Sequence, residues 1–82
     1  MTLGSQISLM KESEDEALKC LSLRMVDACK NACKESPEEK VKAVGYLHGC
    51  IDGLFTFGVI EAWEENELHQ NVDGWAYGDD ML

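Results

Sequence analysis

Ser36-Pro37-Glu38-Glu39 is the stretch that decides the fold. A serine able to cap a helix is followed by proline at the first helical position and glutamate at the third, which predicts a helix starting at Pro37. A residue that precedes proline is pushed out of the α conformation, so an upstream helix has to end here. The link this leaves is very short. Two helices joined so closely are expected to fold back as an antiparallel hairpin.

Upstream, the spacing predicts a helix over about 13–34. Its start signal is Ser13-Glu14-Asp15-Glu16. The Ser13 hydroxyl can accept from the amide near Glu16 while Glu16 reaches back, and acids in a first turn suit the positive end of the helix dipole. Leu18, Leu21, Met25, Ala28, Cys29 and Ala32 recur at helical spacing as a buried stripe. Lys19, Asp27, Lys30, Asn31 and Lys34 fall opposite, Cys33 lies at the edge, and Cys20 and Leu23 lie outside the stripe. Residues 1–12 read as an N-terminal lead, although Ile7, Leu9 and Met10 would extend the stripe if the helix began near Ser5.

Downstream, the helix expected over about 37–57 is apolar around much of its girth. Val44, Leu47, Ile51, Leu54 and Phe55 form one face, which Tyr46, Cys50 and Phe57 widen, so this reads as the central helix. Gly58 supplies a left-handed closing residue, with Val59 and Ile60 as the following apolar contact. A third, shorter helix is expected over about 61–70, carrying Ala62, Trp63 and Leu68. Asp73-Gly74 reads as a turn, and 71–82 as an acidic aromatic tail. The run from Ile51 to Leu68 is similar to the helix–glycine–helix pattern of short oligomerisation modules in bacterial proteins. The fold class is therefore all-α, with one helical domain over 13–70.

Charge is distributed unevenly along this frame. Every lysine and arginine lies at or before Lys42, where seven bases face eight acids. From Ala43 to Leu82 there are eight carboxylates and no lysine or arginine, so the net charge of −9 belongs almost entirely to the second half. Such a surface repels nucleic acid and anionic membrane and attracts a basic protein. No apolar run is long enough to span a bilayer, and no secretion signal is read at the N-terminus. A cytoplasmic protein with reduced thiols is expected, since a Cys29–Cys33 bridge within one helix would close only a tiny loop.

No residue pattern points to catalysis. His48 and Asp52 share a helix face and are the residue types of a general-base unit, but no nucleophile or oxyanion-forming loop accompanies them, which favours a pair at the core edge. Cys29, Cys33, His48 and Cys50 are zinc-ligand types without knuckle spacing. No metal and no cofactor is expected. Gly45, Gly49 and Gly53 repeat along one helix face at a cost of about 1 kcal/mol each relative to alanine. They predict a groove filled either by another helix of the same chain or by a partner, a second copy included.

The expected partner-binding residues are Glu61, Trp63, Glu64, Glu65, Glu67, Asp73, Trp75, Tyr77, Asp79 and Asp80, acids interleaved with aromatic anchors. In size, charge and fold class the chain resembles small acidic inhibitors encoded by phages and other mobile elements. The resemblance implies a non-enzymatic module that occupies a basic, nucleic-acid-binding surface of a host protein. The alternative is a structural subunit or chaperone-like adaptor that covers a partner helix and homodimerises.

Overall fold

The computed structural model describes residues 2–34 and 37–78, with the backbone alone at Cys33, Lys34 and Pro37. The chain is all-α: α1 (Leu3–Lys11), α2 (Glu16–Lys34), α3 (Pro37–Thr56) and α4 (Ala62–Tyr77), with no strand among the described residues. None of these helices is long and apolar enough to cross a membrane.

The first departure from expectation is α1, where a lead had been expected over 1–12. Thr2 caps it, its hydroxyl accepting from the Ser5 amide at 3.1 Å. Leu3, Ile7 and Met10 then recur at helical spacing and are buried. A helix this short is marginal alone, so it is this apolar stripe packing on its neighbours that holds it. The break after α1 also corrects the expected cap. The Ser13 hydroxyl accepts from the Asp15 amide, and it is the Asp15 carboxylate that accepts from the Leu18 amide, both at 3.1 Å. α2 consequently starts at Glu16.

The stripe on α2 is close to the one expected. Met25, Cys29 and Ala32 are buried, with Leu18, Leu21 and Ala28 packed at the margin. Cys20 and Leu23 face solvent. The unexpected member is Ser22, fully buried because its hydroxyl donates to the Leu18 carbonyl at 2.6 Å.

α3 begins at Pro37 with Glu38 and Glu39 in its first turn; the Ser36 cap lies outside the described residues. Val44, Leu47, Ile51 and Leu54 are buried, whereas Phe55, Tyr46 and Phe57 are exposed. Phe55 leaves the expected face because it sits a full step around the helix from Leu54. The closure at Gly58 is as read: φ is +73°, the Gly58 amide donates to Phe55 and the Val59 amide to Leu54. Ile60 then drops into the core.

α4 runs well beyond residue 70, through the expected turn at Asp73-Gly74 and part of the expected tail. The reason is the spacing of Leu68, Val72 and Trp75, all buried. Burying an indole outweighs the roughly 1 kcal/mol that Gly74 costs in a helix interior. Lys40 of α3 covers the Trp75 ring, with Nζ 4.8 Å from its centroid.

The four helices form a ring. α2 packs on α1 and α3, and α4 packs on α1 and α3, while among the described residues neither diagonal pair of helix backbones makes contact. No single helix is central, contrary to the reading of α3. The fourth wall of the core is α1, tied to α4 by an Asn71 amide donating to the Gln6 side-chain oxygen at 2.5 Å.

Candidate functional site

α3 and α4 run antiparallel along their contact, which sets His48 opposite Asp73 and Asp52 opposite His69. Each helix carries its own acid–histidine spacing of four: His48 and Asp52 on α3, then Glu65, His69 and Asp73 on α4. The packing crosses these pairs over. His48 Nε2 lies 3.1 Å from Asp73 Oδ1, and His69 Nε2 lies 3.1 Å from Asp52 Oδ1 and 3.5 Å from Glu65 Oε1. Between them the two Nδ1 atoms approach to 2.5 Å, with ring centroids 4.7 Å apart.

Proton counting limits what this chain of contacts can be. Each nitrogen–carboxylate contact takes an N–H on Nε2, since a carboxylate only accepts. The nitrogen–nitrogen contact takes one N–H between two rings. Two neutral imidazoles have one proton each and leave one contact unmade. All contacts are satisfied together only when the pair carries one extra positive charge, as a proton or as a cation in place of one. The cluster thus gathers two imidazoles and three carboxylates into one seam between α3 and α4.

The expectation that His48 pairs with Asp52 on its own helix is corrected by this geometry: each turns to the other helix. His69, the fifth member, was not among the residues singled out. Its signal was its spacing of four from both Glu65 and Asp73. Of the cysteine–histidine set, the Cys33 side chain lies outside the described residues; the residues brought within ligand distance of one another among those described are Asp52, Glu65 and His69. Cys20 is exposed and Cys50 half-buried. Burial pushes the Cys50 thiol up from its ordinary value, opposed by a Tyr46 hydrogen bond and the Arg24 charge.

The expected partner-binding residues divide between two sides of α4. Glu65 and Asp73 face α3 and the histidines. Glu64 and Glu67 face α1, where with Trp63 they line a groove shared with Gln6, Leu9 and Met10. Trp63 is 62% exposed, and its indole N–H donates to Glu61 Oε2 at 2.6 Å. Glu64 is also structural, accepting from the Glu61 amide at 3.1 Å. Tyr77 is exposed at the other end of α4, about 20 Å away by helical rise. Trp75, expected as an aromatic anchor, belongs to the core, with only 4% of its surface accessible. Asp79 and Asp80 lie outside the described residues.

The glycine stripe faces outward. A Cβ placed on Gly45, Gly49 or Gly53 would meet no atom within 4 Å. Among the described residues, then, no helix of this chain fills it, and that half of the expectation falls.

Comparison of the chain with known protein families, with curated proteins and with solved structures finds no match.

Proposed function

We propose that the chain is a non-enzymatic acidic binding module whose partner is a basic surface of another protein. The observation that carries this reading is the groove between α1 and α4, which exposed Trp63 lines together with Leu9, Glu64 and Glu67. An aromatic anchor inside an acidic rim matches a cationic surface that offers an apolar or guanidinium face. Acids elsewhere in the second half speed encounter without touching the partner. A nucleic-acid-binding protein is the proposed class of partner, because its own site is already shaped for negative charge. In this reading α2 and α3 form an antiparallel hairpin that backs the groove, and the acidic terminus beyond α4 adds to the field.

The experiment is affinity capture on the immobilised chain at low and at high salt, with a Trp63→Ala/Glu67→Gln variant alongside. The reading expects a basic protein retained by the wild type at low salt and lost both at high salt and on the variant. Retention indifferent to salt and to the variant overturns it. That outcome favours instead a helical adaptor or homodimer using the open face along Gly45, Gly49 and Gly53.

A further inference from the structure

We propose that Asp52, Glu65 and His69 form a binding site for one divalent transition-metal ion, zinc being the best suited, which links α3 to α4. The ligand atoms of these residues all lie within 4.8 Å of one another. Two bonds of about 2.0–2.2 Å at a tetrahedral angle put donor atoms about 3.3–3.6 Å apart. His69 Nε2 stands 3.1 Å from the Asp52 oxygen and 3.5 Å from the Glu65 oxygen, so both pairs that include the imidazole are close to that spacing, and the two carboxylate oxygens lie within 4.8 Å of each other. The Asp52 side chain is the adjustable member, 64% exposed, and a turn of its carboxylate brings the set to ligand spacing.

The donor chemistry selects the ion. One neutral imidazole and two carboxylates offer nitrogen and oxygen with net charge −2, which a divalent ion cancels. A single imidazole favours zinc and its transition-metal neighbours over calcium and magnesium, which take oxygen ligands. Glu65 and His69 come from successive turns of one helix, a spacing that presents two ligands on one face. Glu65 and His69 are about three-quarters buried while Asp52 is open. The fourth coordination position therefore faces solvent.

The remaining two members of the cluster have a place in this arrangement. A metal-bound imidazole donates its other N–H to a partner that fixes its orientation. With His69 Nε2 on the metal, its Nδ1–H donates to His48 Nδ1, and His48 Nε2–H donates to Asp73. Every ring nitrogen then has one role, and the contact left unmade by two neutral imidazoles is replaced by the metal bond. His48 and Asp73 are positioning residues. The proposal does not depend on the partner-binding reading.

The test is titration of the metal-free chain with Zn2+ by calorimetry and with Co2+ by visible absorption. One ion per chain is expected, with the Co2+ spectrum of a mixed nitrogen–oxygen tetrahedral or five-coordinate site. Asp52→Asn, an isosteric change at an exposed position, should weaken binding at least about tenfold, and His69→Ala should abolish it. His48→Gln should weaken it about 10–100-fold while keeping the stoichiometry. Wild-type thermal stability should rise with added Zn2+, and that rise should vanish in Asp52→Asn. The proposal is overturned by absence of binding at millimolar ion. It is equally overturned by binding that is unchanged in both Asp52→Asn and His69→Ala, or by a Co2+ spectrum dominated by thiolate charge transfer.

Discussion

Gly49 shows how differently one residue can read in sequence and in space. Its recurrence with Gly45 and Gly53 suggested a close backbone approach, yet a Cβ at any of the three meets nothing within 4 Å. Gly45→Ala and Gly49→Ala are therefore expected to stabilise the chain by about 0.5–1 kcal/mol each, from the entropy the glycines lose on folding. Chemical unfolding midpoints check this, and a loss of stability would show that something does press on the stripe. The thiols give a second residue-scale prediction. Cys50 is half-buried and its thiol is pushed up, so it presents less thiolate at a given pH than an unburied thiol. An alkylating reagent near neutral pH should label exposed Cys20 well before Cys50, as read by peptide mass spectrometry. Equal labelling rates would contradict the burial assigned to Cys50.

At the scale of elements, what sequence could show was whatever a single helix shows by itself. The Gly58 closure depends on local φ and on amides a few residues apart, so it was legible. So was the α2 stripe, down to the exclusion of Cys20 and Leu23. The continuation of α4 through Gly74 was hidden, because it depends on Trp75 finding a core built by other helices. α1 was legible only as an extension of the next helix from near Ser5; its place as a separate wall was not, because Leu3, Ile7 and Met10 matter only once α2 and α4 leave a gap between them. Ile7→Ala should cost about 2–4 kcal/mol, as expected of a buried aliphatic side chain. Leu9→Ala, on the exposed face of the same helix, should change stability by less than about 0.5 kcal/mol. If the two variants behave alike in denaturant titration, α1 is not a wall of the core.

At the scale of the whole molecule, the charge asymmetry turns out to have internal structure. Half a chain without lysine or arginine looked like one acidic surface. α4 instead parts it, sending Asp73 and Glu65 toward Asp52 and the two histidines, and Glu64 and Glu67 toward the Trp63 groove. That partition was beyond reach of the sequence because it is set by the register between α3 and α4, and by where α1 docks. Asp52, Glu65 and Asp73 are already in contact with imidazoles in the seam between α3 and α4. The groove acids touch no imidazole: Glu64 is held at the start of α4 by the Glu61 amide, and with Glu67 it lines the groove beside Trp63, which is why the binding reading rests there. The most direct measurement is the indole N–H signal of Trp63 in an isotopically labelled chain, followed while a basic protein recovered by capture is added. The account predicts that Trp63 shifts and returns as salt is raised, while Trp75 and the Gly45–Gly53 amides stay in place. A Trp63 signal that does not move while those glycine amides do would contradict it.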